Sequence, residues 1–81
     1  MVQVQVRLFA SLREEVGHET VAVEVGNAAT VDGLLRAFSD AYPQARSVGQ
    51  ALVAVNQVVA DGETRVQAED EIALLPPVSG G

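Results

Sequence analysis

The 81-residue chain contains no cysteine, no lysine, one histidine, and no apolar run near the length of a membrane span. Without cysteine there is no disulfide scaffold, no thiolate zinc site and no cysteine nucleophile. A single histidine, His18, cannot build an imidazole-rich metal site. A spanning helix needs about 20 consecutive apolar residues, so a membrane protein is not expected. Met1-Val2-Gln3-Val4-Gln5 alternates at once and lacks a basic region followed by an apolar block, so no signal peptide is expected and a cytoplasmic location is. Basic charge is scarce too: five arginines stand against eleven Asp and Glu, a net charge of −6. Nucleic acids and anionic membranes call for a basic surface, which excludes them as partners. An electropositive partner protein suits the balance, as does ordinary solubility.

What is present is an apolar content of 48%, enough for a core without staples and too much for a disordered chain. Val2, Val4, Val6 and Leu8 alternate with Gln3, Gln5, Arg7 and Phe9, the signature of a half-buried strand. Phe9 is the aromatic on the otherwise polar face. Leu12 and Val16, followed by Gly17, predict one or two helical turns with a glycine C-cap. Val21, Val23 and Val25 mark a second strand, paired with the first. After the Gly26-Asn27 turn, Thr30 is an N-cap and Asp32 a first-turn anion for a helix from about Val31 to Tyr42. Its apolar stripe is Val31, Leu34, Leu35 and Phe38, and Pro43 ends it. Residues 44–50 read as a loop, 51–55 as a third strand, Val58-Val59 as a short fourth, and Ile72–Leu75 as the last. One main helix against one mixed sheet is the natural way to bury that stripe, giving an α+β domain over residues 1–75.

Residues 76–81, Pro-Pro-Val-Ser-Gly-Gly, have no capacity to pack. The prolines favour an extended start, and six extended residues reach on the order of 20 Å. The Gly80-Gly81 end has no side chains, so it can enter a channel too narrow for a Cβ. A frayed terminus is the ordinary alternative.

Leu8-Phe9-Ala10 leading to Arg13-Glu14, Ala54-Val55-Asn56-Gln57, Asp70-Glu71-Ile72 and the Pro76–Gly81 tail carry a resemblance that covers the whole chain. The chain resembles the ubiquitin-like β-grasp sulfur carriers, and among them the small subunits of molybdopterin synthase. The thiamine-pathway carriers share the Gly-Gly end but generally lack the Pro-Pro-Val lead. The resemblance implies that Gly81 is the reacting residue. An ATP-dependent activating enzyme would adenylate its carboxylate, and a sulfur donor protein would displace AMP to leave a thiocarboxylate. The tail, Pro76, Pro77, Val78, Ser79 and Gly80, would insert into the large subunit and deliver sulfur to a cyclic pyranopterin monophosphate, building the dithiolene of the molybdenum cofactor. Two sulfurs per product imply a 2:2 complex. The chain itself would be a consumed and reloaded cosubstrate, with no bound cofactor or metal and no catalysis of its own. The alternatives are a carrier for thiamine, cysteine or tRNA thiolation, and a protein modifier conjugated through Gly81.

By alternation Ile72 and Leu74 face the helix, which leaves Ala73 and Leu75 outward with Phe9. These three make an expected apolar partner interface beside the tail root. Other candidates have plainer readings. His18 is a solvated loop residue, and Ser79 is a spacer with no histidine placed to activate it. Glu14-Glu15 and Glu69-Asp70-Glu71 read as solvated faces and salt bridges with a partner, since no recognised cation loop has their spacing. Asn56 and Asp61-Gly62 are turn residues. The missing lysine would prevent self-capture of an activated Gly81, but an arginine-for-lysine bias is the plainer explanation, since arginine serves a solvated surface as well.

Overall fold

The computed structural model describes residues 1–76. Strand β1 (Val2–Leu8) leads through helix α1 (Ala10–Val16) into β2 (Thr20–Val25). Helix α2 (Val31–Ala41), a 3-10 helix (Arg46–Gln50), and strands β3 (Leu52–Val55), β4 (Val58–Val59) and β5 (Glu71–Leu75) follow. The five strands form one mixed sheet in the order β2-β1-β5-β3-β4. β5 lies between its neighbours, parallel to β1 and antiparallel to β3. A helix laid across such a sheet is the β-grasp arrangement implied by the resemblance.

The alternation of β1 sets the inner face. Val4, Val6 and Leu8 are buried while Gln3, Gln5 and Arg7 are exposed. The register carries this face across the sheet: Val6 sits beside Ile72 and Leu8 beside Leu74. In turn Leu74 faces Val53. Helix α2 adds Val31, Leu34 and Phe38 to the same core, with Leu35 half-buried. Phe38 is fully buried, and its ring lies 5.2 Å from that of Tyr42. Burial of one such side chain stabilises the fold by about 1.5–3 kcal/mol. No polar or charged residue is buried among the described residues, so the core spends nothing on unpaired polar groups.

Local signals set the element ends. The Thr30 hydroxyl accepts from the Gly33 amide at 3.4 Å, which caps α2. Gly17 takes the left-handed conformation (φ 89°) that ends α1, its amide donating to the Arg13 carbonyl. Asn56 and Gln57 both have positive φ, 52° and 72°, the conformation of a two-residue primed hairpin turn between β3 and β4. The expected loop over 44–50 differs: it contains the 3-10 helix, a turn too short to announce itself by periodicity. The last strand also begins one residue early, at Glu71. Among the described residues no helix is long and apolar enough to cross a membrane.

Candidate functional site

Helix α2 covers one face of the sheet, and among the described residues the centre of the other is bare. Strand parity places Arg7, Ala73, Leu75, Ala54 and Val59 on that outer face. Arg7 is registered with Ala73, Ala73 with Ala54, and Ala54 with Val59. Two alanines in mid-sheet, between longer side chains, leave a trough. A groove of about 250 Å³ lies there. Ala54 and Ala73 are the cross-strand pair on its floor. Phe9 and Arg7 flank it on the β1 side, and Val59, 62% exposed, on the β4 side. Phe9, Ala73 and Leu75, the three expected interface residues, therefore line one concavity, together with the charged Arg7 and Glu71.

A second cleft, of about 190 Å³, opens at the tail root between α1 and the 3-10 helix. Ser11 and Leu12 line one side, Ser47 and Gln50 the other, with Leu75 and Pro76 where the chain leaves the sheet. Phe9 and Leu75 line both depressions. A partner seated on either one must therefore meet these two side chains. Ala10, the residue after Phe9, enters α1 with a left-handed φ of 52°. That conformation costs a non-glycine residue about 1–2 kcal/mol.

The cleft walls are tied together. The Ser47 amide and hydroxyl donate to the two oxygens of the Glu15 carboxylate, at 3.0 and 2.7 Å. These bonds from the Ser47 amide and hydroxyl, aided by the Arg46 charge, hold the Glu15 carboxyl below its ordinary value. The expectation that Glu14-Glu15 is merely a solvated or partner-facing pair is corrected for Glu15. Its bond partner lies 32 residues away, out of reach of any local reading.

Glu69-Asp70-Glu71 is a solvated face as expected, with Glu69 and Glu71 exposed, but Asp70 and Glu71 also engage groups within the chain. Asp70 accepts from the Asn56 side-chain amide at 3.0 Å and from the Gln67 backbone at 2.8 Å. Glu71 lies 3.8 Å from Arg7, on the outer face. Asn56 is the expected turn residue and more, since its side-chain oxygen also accepts from the Glu71 amide at 2.9 Å. His18 is exposed in the turn after α1. Of the expected tail residues, Pro76 is exposed at the end of β5, and Pro77, Val78, Ser79, Gly80 and Gly81 lie outside the described residues. Arg7, Ala54, Gln57, Val59 and Glu71 complete the groove unforeseen. The outward position of Arg7 was available from alternation, whereas Ala54 and Val59 needed the register.

Residues 6–81 match the ThiS family. The molybdopterin synthase sulfur carrier subunit of Dictyostelium discoideum is 35% identical over 83 residues, covering 98% of this chain and 96% of that protein. The small archaeal modifier protein 1 of Haloferax volcanii is 40% identical over 85 residues, covering 93% and 97%. Its crystal structure superposes with a TM-score of 0.87 over 96% of this chain and all of that one, at 33% identity. A chain in the complex of subunits 1 and 2 of the molybdopterin-converting factor from Helicobacter pylori superposes with a TM-score of 0.67 at 28% identity. It covers 99% and 100% of the two chains.

Proposed function

The chain belongs to the ThiS family, and from that premise we propose that it is a sulfur carrier, the small subunit of a molybdopterin synthase. The observation that carries this reading is a largely apolar groove, lined by Phe9, Ala73 and Leu75 and uncovered among the described residues, that adjoins the tail-root cleft at Leu75 and Pro76. A subunit bound there holds the domain while the tail from Pro76 onward enters its active site.

The chemistry then follows from Gly81. A carboxylate resists substitution because its leaving group would be oxide. ATP converts it to an acyl-adenylate with release of pyrophosphate, and AMP becomes the leaving group. The terminal sulfur of a donor protein's persulfide displaces AMP to give an acyl disulfide. A second thiol then cleaves the S–S bond, ending in a disulfide with the donor thiol and leaving the terminus as a thiocarboxylate. The large subunit provides the acid–base groups and the phosphate site for the pyranopterin. Gly80 and Gly81 present no Cβ to the attacking atom on either enzyme. The chain is spent at each transfer and reloaded, and two copies in a 2:2 complex match the two sulfurs of the dithiolene.

The test is recovery of partners with the full-length chain and with a Gly80-Gly81 deletion, joined to intact-mass measurement of the loaded chain. We expect a molybdopterin synthase large subunit in both samples. We expect the mass gain of oxygen replaced by sulfur only in the full-length chain. Recovery of a thiazole synthase would reassign the pathway and keep the carrier chemistry. The 40% identity to a small archaeal modifier protein favours one second reading, conjugation through Gly81 to target lysines. Its mark is a ladder of higher-mass conjugates in cell extract that disappears with the deletion.

A further inference from the structure

The groove contains one cation and one anion. Arg7 and Glu71 are the only charged residues lining it among the described residues. They sit diagonally across the β1–β5 ladder, since Gln5 is registered with Glu71 and Arg7 with Ala73. The Arg7 guanidinium is 3.8 Å from the Glu71 carboxylate and 5.7 Å from the centre of the Phe9 ring. The two charged side chains are 57% and 50% exposed, so the pair contributes little to the stability of the free chain. The chain as a whole has a charge of −6, yet this groove is neutral.

We propose that Arg7 and Glu71 act as a self-neutralising pair in the docking face, buried together against an uncharged, apolar surface of the large subunit. This rests on the reading of the groove as that subunit's seat. Because the Arg7 guanidinium stacks on Phe9, no partner can cover Phe9 without also taking water from Arg7. A lone charge buried in this way has a large desolvation cost, whereas a paired one keeps its counter-charge. Arg7 is thus a positioning residue for Phe9, and Glu71 is the group that lets Arg7 be covered. The competing arrangement is a partner that reads each charge with an opposite charge of its own.

A double-mutant cycle separates the two. Wild type, Arg7→Gln, Glu71→Gln and the double variant are titrated calorimetrically against the purified large subunit, with thermal melts of each. Glutamine already occupies outward positions of β1, and Glu71→Gln leaves the backbone bonds of residue 71 to Asn56 in place. Each single variant is expected to lose about 30-fold or more in affinity, and the double to return to within about threefold of wild type. A double variant as weak as the two losses combined overturns the proposal in favour of a partner that reads the charges. Single variants within about threefold of wild type overturn it by showing the pair uncovered. A wild-type chain that does not bind at all overturns the docking reading and this inference with it. Binding that survives in wild type and is lost in Phe9→Asp sustains the docking reading whatever the cycle gives.

Discussion

Glu15 and Ser47 meet through two hydrogen bonds, an amide and a hydroxyl converging on one carboxylate, although 32 positions separate them. Helix α1 and the 3-10 helix are joined by this contact, and the cleft at the tail root lies between them. The Glu15 carboxyl is held below its ordinary value of 4.5, so its ionised form favours the folded chain. The sign follows directly. The contribution is complete above about pH 4.5, where the unfolded chain is also ionised. It disappears as pH falls through the lower folded value. Urea titrations should show Glu15→Gln less stable than wild type at pH 7, with the two curves converging in acid. Parallel curves throughout would disprove the assignment.

Ala10 has a φ of 52°. Ala10→Gly should be neutral or stabilise by up to about 1 kcal/mol, because relief of the left-handed strain offsets the added freedom of the unfolded chain. Ala10→Val should destabilise by about 1–3 kcal/mol, since a β-branched residue tolerates that region worst. Urea midpoints give both values, and equal stability of all three chains would contradict the strained entry into α1.

Asn56 combines a left-handed turn with two side-chain bonds to the 70–71 segment. Asn56→Gly keeps the backbone and loses the bonds, for about 0.5–1.5 kcal/mol. Asn56→Ala loses both, and should fall about 1–2 kcal/mol further. Thermal denaturation should therefore rank wild type above glycine above alanine. An alanine variant as stable as the glycine one would remove the turn from the account.

Ala73 forms the groove floor with Ala54. Ala73→Phe fills the groove from this side while suiting a strand, so stability should hold. Affinity for the large subunit should fall at least about tenfold, equivalent to about 1.4 kcal/mol. Unchanged binding, with a melting point near wild type, would move the partner off this face.

Much of this was legible in the chain itself. Four alternating residues in β1 and three in β2 gave the inner face, Gly17 and Thr30 gave two helix ends, and the parity of Ile72 and Leu74 put Phe9, Ala73 and Leu75 together. These signals are local: each depends on residues within a few positions. The rest of the site depends on what lies beside what. Ala54 and Val59 join the groove only through the β5–β3–β4 register. The 3-10 helix has five residues and no buried stripe, and Glu15 reaches it from another element. The acidic cluster at 69–71 is solvated, but its in-chain partners Asn56 and Arg7, which engage Asp70 and Glu71, are 14 and 64 positions away respectively and out of local view.

The place of β5 in the sheet has a mechanical meaning. The strand that ends at the tail root is not an edge but is laddered on both sides, to β1 and to β3. Tension applied along Pro76 loads both ladders lengthwise, so their hydrogen bonds share the strain and do not open one after another. A load applied at Pro76 is therefore passed to the sheet as a whole and not to a single strand.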